Sequence, residues 1–350
     1  MVVRTREMSE LPVSAQDAPH ESLPRIRVLI VNYNSSVHLC RCLTALQRQT
    51  WHAFEAVVVN NSPADRGAAA AMPDDPRFTL IESPENSGFA AGNNLAATGC
   101  RAPWIATLNP DAFPEPDWLA ALTAAIERYP WAAMFGSTQL MDADPSRLDG
   151  VGDGLFAAGL HWRGGYGWLR EATPPDAEVF APCAAAALYR RDAFEAAGGF
   201  DATFFCYYED VDLAFRLRLA GGRCVQVRDA VVRHLGSGSS DGSDAFKQYH
   251  SARNRLWLFV KNMPGPLFWL LLPAHALLSA LLLAWGSRRG HGGAVWRGIR
   301  DGLRGIRPVL QRRRTIQGQR HTSAATIARA LCWHPSRTLR RAPDPRPLPT

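Results

Sequence analysis

The chain has 350 residues, 47% of them hydrophobic and 20% charged, with a formal net charge of +7. That balance suits a globular protein with a real core, and the length fits one large domain with extensions or two modest ones. Seven cysteines without a C-x-x-C spacing place the chain with reduced thiols in a cytosolic setting, not with a disulfide framework. The basic character is local. From Arg288 onward many arginines, including Arg312-Arg313-Arg314 and Arg340-Arg341, face only Asp301 and Asp344, and the rest of the chain is slightly acidic. This argues for an anionic surface against the C-terminal part and against a nucleic-acid groove across the whole fold.

Residues 1–24 are polar, lack an apolar signal-like run and read as a disordered leader. Then strand and helix patterns alternate. "RIRVLIVNY" (25–33) is a β-branched run suited to a strand covered on both faces, followed by a helix over 37–49 with Leu39, Cys42, Leu43 and Leu46 on one side. Strands are expected at 54–60 and 77–83, a small-residue helix at 88–100, a strand at 103–111, a helix at 116–129 and a strand at 131–141. The order predicts an α/β domain with a largely parallel sheet, whose ligands sit beyond the carboxyl ends of the strands. Those ends, "NYNSS", "NNSP", "SPENSGFAAGNN" and "NPDAFPEP", are all rich in Asn, Asp, Ser or Gly.

The second half changes character. Residues 142–182 are Gly- and Pro-rich and read as loops with short antiparallel strands; 183–200 reads as strand then short helix, and 222–236 as closing strands. Between them "YYEDVDLAFRLRLAGG" (207–222) sets Glu209, Asp210 and Asp212 at the mouth of a helix. Asp212 and Arg216, four apart with the acid first, read as a surface ion pair. The adjacent Glu209-Asp210 pair, preceded by three aromatics, is less easily assigned to structure alone. Asp111, after Asn109-Pro110 at a strand end, suits a hard divalent cation, although a turn-forming, helix-capping Asp has the same pattern. His234 before "LGSGSS" fits a metal or phosphate ligand, and in isolation equally a structural histidine. "NSGFAAGNN" lacks both the G-x-G-x-x-G spacing and a P-loop lysine, so Gly88 and Gly92 serve close approach of backbone or simple packing.

Taken in order, "VNYNSS", "VVVNNS", "ENSGFAAGNN", "LNPDA", "FFCYYEDVDLAFRLRLAG", "RHLGSGS" and "HSARNRLWL" resemble the inverting family 2 glycosyltransferases of GT-A fold, especially the rhamnosyltransferase-like branch, over roughly Arg25 to Asn262. The resemblance implies a Rossmann-like, mostly parallel nucleotide-diphospho-sugar transferase fold and a divalent metal, Mg2+ or Mn2+. It implies Asp111 and His234 at that metal, Asp210 as general base and Glu209 as a helper positioning the acceptor hydroxyl. Tyr33, Asn34, Asn60, Asn61, Asn86, Gly88, Asn94, Asn109 and Asp111 become the expected donor-binding set. Asn109 stands where many D-x-D motifs carry Asp, which leaves the metal site lean. Asn60-Asn61 stands where the second strand of the family commonly ends in Asp before Asn; an Asn carbonyl accepts the same pyrimidine N3–H, so a UDP- or dTDP-sugar is retained, with rhamnose suggested by the resemblance.

After a basic, aromatic helix at 249–262, "PGPLFWLLLPAHALLSALLLAWG" (264–286) is long enough to cross ~30 Å of hydrocarbon. Pro273 and His275 near its middle and basic flanks on both sides favour an interfacial or re-entrant helix hairpin with both flanks cytosolic, over a span or a core helix. The expected organisation is a leader (1–24), a GT-A catalytic domain (25–245), membrane-associating C-terminal helices (246–286) and a basic Arg-rich tail (287–350). The expected partners are a nucleotide-diphospho-sugar, a glycan or polyprenyl-linked acceptor and the inner membrane surface at the cytoplasmic face, with no nucleic acid. A nucleotidyltransferase on a related fold, or a basic membrane- or nucleic-acid-binding adaptor, is the alternative.

Overall fold

The computed structural model describes residues 25–236 and 244–349; the expected leader and most of the Gly/Ser loop after His234 lie outside the described residues. In chain order the strands are β1 (Ile26–Asn32), β2 (Phe54–Asn60), β3 (Phe78–Glu82), β4 (Trp104–Leu108), β5 (Ala112–Pro114), β6 (Met134–Met141), β7 (Leu148–Gly150), β8 (Asp153–Phe156), β9 (Leu160–Arg163), β10 (Ala177–Val179), β11 (Ala186–Arg190) and β12 (Cys224–His234). The helices are α1 (Ser36–Gln47), α2 (Gly67–Ala70), α3 (Gly88–Ala97), α4 (Trp118–Arg128), α5 (Arg191–Ala196), α6 (Glu209–Leu219), α7 (Asp244–Asn262), α8 (Gly265–Arg288), α9 (Gly292–Arg304), α10 (Ile306–Gly318), α11 (Ala324–Ala330) and α12 (Pro335–Leu339).

The main sheet runs β10-β12-β6-β11-β4-β1-β2-β3, with β5 paired to β12 and β7 to β6. The β-branched runs of β1 and β2 are buried on both faces, because α1 and α4 cover one side and α3, α6 and α7 the other. The half from β3 to β4 is a continuous parallel array and β12 runs parallel to β6, while β11 enters antiparallel to both β4 and β6, so the largely parallel sheet is mixed. The closing segment is one long strand, β12, bent by a register shift between Val227 and Val231. That shift lets its far end pair with β5, which has no sequence pattern of its own.

Two further expectations change. The apolar run is a single helix through Pro273, not a re-entrant hairpin; the proline ring sits on the exposed face, where losing one backbone donor is tolerated. The basic tail is folded. α9 and α10 pack along α7, Cys332 N donates to Leu155 O at 2.9 Å, and Arg346 exchanges backbone hydrogen bonds with Glu178 at the sheet edge.

Candidate active site

The β5–β12 pairing puts His234 opposite Ala112, and Leu235 N donates to Asp111 O at 3.1 Å. His234 Nε2 thereby lies 3.5 Å from Asp111 Oδ1, with the residues 4% and 1% exposed. The other ring nitrogen is 2.7 Å from Asp149 Oδ2, and Asp149 pairs in turn with Arg163. A proton on Nδ1 donated to Asp149 turns the Nε2 lone pair towards Asp111, the arrangement that orients a metal-binding imidazole. Burial alone would lower the His234 pKa, but hydrogen bonding to Asp111 and Asp149 outweighs it and raises it. Burial pushes the Asp149 carboxyl up, yet His234 and Arg163 hold it below the usual range.

The donor set fits a divalent cation. Asn109 Oδ1 is buried without a hydrogen-bond partner among the described residues, and His234 Nε2 faces the Asp111 carboxylate. A carboxylate, an imidazole and an amide oxygen at neighbouring strand ends suit Mn2+ or Mg2+ with its remaining positions filled by substrate oxygens.

Asp210 approaches from α6. The preceding loop is strained: Phe205, Tyr207 and Tyr208 have φ of 65°, 66° and 73°, a region non-glycine residues rarely occupy. Asn254 of α7 clamps it, donating from Nδ2 to the carbonyls of Phe204, Cys206 and Tyr207 at 3.0, 2.9 and 2.7 Å. From the other side Ala90 N donates to Phe205 O, and a Cβ on Gly88 (φ +82°) would sit 2.7 Å from that oxygen. Gly88 therefore makes room for the loop before the base. Gly92 does the same for the strand, since a Cβ there would sit 2.8 Å from Val31 Cγ1.

So held, the half-buried Asp210 accepts from Ala184 N at 3.2 Å and from Val211 N at 2.8 Å. One oxygen each of Asp210 and Asp153, and Cys183 Sγ, lie within 4.8 Å of one another. Burial pushes the Cys183 thiol up to about 12, so this trio offers a protonated soft ligand and matches a hard cation poorly. Burial and then Asp210 raise the pKa of Asp153 above its usual value, against the opposing effect of Arg163. His161 packs edge-on against Tyr208 at 4.2 Å, and burial lowers its pKa to about 4.

Three residues of α6 and α3 are more buried or more engaged than their sequence positions suggest. Glu209 is 7% exposed; burial, then Asp210, raises its pKa well above its usual value, and it lies near Cys206. Asp212 is no surface residue. It is fully buried, 2.8 Å from both Arg216 and Lys261, and accepts from Asn262 Nδ2 at 2.7 Å. Asn94 is spent on the backbone of Phe200, donating to its O at 2.8 Å and accepting from its N at 2.9 Å, so it braces the base loop and not a donor.

Most of the expected donor set does converge on the ends of β1, β2 and β3, whose register aligns Asn32, Asn60 and Glu82. The asparagine carbonyls, however, are engaged. Asn60 Oδ1 accepts from Asn32 Nδ2 (3.1 Å) and Ser62 N (3.4 Å), and Asn61 Oδ1 accepts from Ser87 N and Oγ, both at 3.0 Å. Each of these two carbonyls thus already accepts two hydrogen bonds within the protein. Asn61 also donates to Asn86 Oδ1 and Gly88 O, tying the second loop to the third. Tyr33 stays 36% exposed, while Asn34 accepts from Ser62 Oγ and, with Ser36, Ala64 and Asp65, lines a cavity of about 250 Å³. Asp65, missed in the sequence, brings a carboxylate to this cavity. Asp149, Asp153 and Arg163 were also missed, because they come from a Gly-rich stretch without periodicity.

Comparison with known proteins now gives these features a class. Residues 27–198 match the family described as Glycosyl transferase family 2. The chain is 29% identical over 290 residues to the N-acetylglucosaminyl-diphospho-decaprenol L-rhamnosyltransferase of Mycobacterium tuberculosis (strain ATCC 25618 / H37Rv), covering 75% of this chain and 94% of that protein. It is 27% identical over 268 residues to the O-antigen biosynthesis protein RfbC of Myxococcus xanthus, covering 70% of this chain but 20% of that protein. Among solved structures it resembles the mannosyltransferase PcManGT from Pyrobaculum calidifontis in complex with GDP-Man and Mn2+, with TM-score 0.51, 18% identity and 85% and 86% of the two chains covered. It also resembles GalNAc-T7 with UDP, GalNAc and Mn2+, with TM-score 0.54, 14% identity and 69% and 48% covered. Residues 27–198 are a Glycosyl transferase family 2 domain, and the fold is that of the GT-A glycosyltransferases among these solved structures.

Proposed function

We propose that the protein transfers a sugar, with rhamnose the leading candidate, from a UDP- or dTDP-sugar to a hydroxyl of a polyprenyl-diphosphate-linked glycan at the cytoplasmic face of the membrane. The observation that carries this reading is the chain of side chains from Asp111 and His234, through Asp149, Arg163 and Asp153, to Asp210. The relative named for a decaprenol-linked substrate supports the acceptor class.

Asp111 and His234 would hold a divalent metal, with Asn109 contributing its amide oxygen. When bound, the metal supplies Lewis-acid stabilisation of the departing nucleoside diphosphate. Asp210 takes the acceptor hydroxyl proton as that oxygen bonds to the anomeric carbon, while the bond from that carbon to the diphosphate breaks on the opposite face, so the configuration inverts. The strained loop and its Asn254 clamp fix where the base stands. Asp65, beside Asn34, is the group we assign to the nucleotide base in place of Asn60 and Asn61.

Incubation with UDP- and dTDP-sugars, Mn2+ and a polyprenyl-diphosphate N-acetylglucosamine tests the reading. One nucleoside diphosphate released per inverted glycoside formed is expected. Release of pyrophosphate from a nucleoside triphosphate and a sugar phosphate would instead favour the nucleotidyltransferase.

A further inference from the structure

α8 carries two stripes of opposite environment. The inner stripe, Leu267, Leu271, His275 and Gly286, is buried. His275 stacks on Phe259 with ring centroids 4.1 Å apart and has Nδ1 2.9 Å from Ala158 O, while Arg255 hydrogen-bonds Ser279 one turn further on. The outer stripe recurs at helical spacing as Trp269, Leu270, Leu277, Leu281 and Trp285, exposed by 46 to 71%, with Pro273, Ala274, Ala280 and Ala284 between them. No charged or polar side chain interrupts it. A soluble surface does not carry so continuous an apolar strip without a partner.

Length alone allows α8 to cross a bilayer. Its attachment does not. A crossing helix needs hydrocarbon or other membrane helices on all sides, and the middle of α8 is fastened to α7 and to the β8–β9 turn. Crossing would drag those polar elements into the hydrocarbon. Two further features identify what meets the outer strip. Tryptophans stand near both ends, the residue suited to a half-wet boundary. From Arg288 to the C-terminus the chain has 15 arginines; some are held by the protein, as Arg312 is by Asp201 and Arg346 by Asp344, but the exposed Arg288 and Arg289 directly follow the stripe, and Arg289 lies over the Trp285 ring at 4.5 Å. Such charge complements anionic lipid headgroups.

We propose that α8 lies flat in one leaflet of an anionic phospholipid membrane, its outer stripe at the acyl boundary and the arginines that follow it among the lipid phosphates. The seat also orients the enzyme. The turn resting on His275 joins the two strands that carry Asp153 and His161, and His161 packs on Tyr208, two residues before Asp210. The base side of the site thus adjoins the leaflet, so a lipid-linked hydroxyl rises to Asp210 without leaving the membrane surface. This last step rests on the proposed function; the seat itself does not.

Flotation of the full chain with phosphatidylcholine vesicles, with and without phosphatidylglycerol, tests it, alongside tryptophan quenching by lipids brominated at shallow or deep acyl positions. Co-flotation that needs phosphatidylglycerol and weakens in high salt is expected, with shallow quenching that drops in Trp269→Phe. The triple variant Trp269→Ser, Leu277→Ser, Leu281→Ser should keep its Tm and its transfer to a detergent-soluble short-chain acceptor, while vesicle binding falls at least tenfold. Unchanged flotation of the triple variant, quenching strongest at the bilayer centre, or a wild-type protein that ignores vesicles and buries the stripe in a dimer would overturn the proposal. Intact flotation with no sugar transfer by the wild type would fault the catalytic reading alone.

Discussion

His234 and Asp149 form a buried pair, Nδ1 to Oδ2 at 2.7 Å, and this contact decides which ring nitrogen faces Asp111. Asp149→Asn keeps the volume but removes the charge that fixes the tautomer. Outer-shell partners of this kind are worth about 10- to 100-fold in metal affinity. Calorimetric titration of Mn2+ should show a loss in that range for Asp149→Asn and a larger one for Asp111→Ala. Equal Mn2+ affinity in wild type and Asp149→Asn would remove the pair from the metal site.

Asp210 is the proton acceptor in this reading, and its two hydrogen bonds come from backbone N–H groups that survive substitution. Asp210→Asn should therefore fold normally, bind donor and Mn2+ as the wild type does, and lose roughly 10²- to 10⁴-fold in kcat. Turnover within a few-fold of wild type would sink the base assignment.

Glu209 gives a pH dependence of definite sign. Its folded pKa lies well above the ordinary carboxylate value, owing to burial and then to Asp210, so between the two values the unfolded chain releases a proton that the folded chain retains. The contribution is favourable at low pH and lost as pH rises, at about 1.4 kcal/mol per pH unit above the unfolded pKa until the folded value is reached. Glu209→Gln mimics the neutral acid. Its Tm should match the wild type near pH 4 and exceed it increasingly towards pH 8, with transfer retained. A Tm difference flat with pH would show that Glu209 is ionised in place.

How much of this could be read from the sequence follows from where each signal resides. The β-branched runs of β1 and β2 and the polar strand ends are local, so the parallel half of the sheet and Asp111 were legible. Asp210 and His234 were singled out through their motifs, and the structure sets them at the mouth of α6 and the end of β12. The partners that orient them were not legible, because Asp149, Asp153 and Arg163 sit on short strands whose pairing is decided by tertiary contacts. The engagement of Asn60 and Asn61 was hidden for the same reason: an amide at a strand end looks available until its neighbours' donors are known. Asp212 and Arg216 have the spacing of a surface pair, and only α7 packing over α6 makes them interior. A hint lay in α7, where His250, Asn254 and Lys261 share a helical stripe with Leu258. Polar residues on an apolar stripe mark a buried network.

Lys261 tests that network. Its Nζ lies 2.5 Å from Asp201 and 2.8 Å from Asp212, with the side chain 2% exposed. Burial would raise the Asp201 carboxyl, but Lys261, Thr203 and Arg312 hold it far below its usual value. Lys261→Met leaves two buried carboxylates short of a cation, and breaking such a pair costs about 3–5 kcal/mol. Denaturant unfolding should show a loss of that order. A loss under about 1 kcal/mol would mean that Arg216 and Arg312 suffice.

Asn254 separates fold stability from catalytic geometry. Its amide serves three carbonyls of a loop whose φ angles are costly, and that loop ends at Asp210. Asn254→Ala removes this donor from Cys206 O and Tyr207 O, while Phe204 O keeps Arg253 Nη2 and Cys206 N, at about 1–3 kcal/mol for a buried group left unpaired. It also frees Phe205, Tyr207 and Tyr208 to relax towards ordinary backbone angles. A shift of the base by about 1 Å is enough for a 10²-fold loss of rate. Donor and Mn2+ affinity should hold within about two-fold, because Asp111, His234 and Asp65 stand on other elements, while kcat per folded molecule falls steeply. Asn254→Asp, similar in size but unable to donate when ionised, should behave like the alanine variant. If instead Tm drops in both variants and kcat per folded molecule stays at the wild-type value, the clamp supports only the fold and the loop keeps its strained form without it.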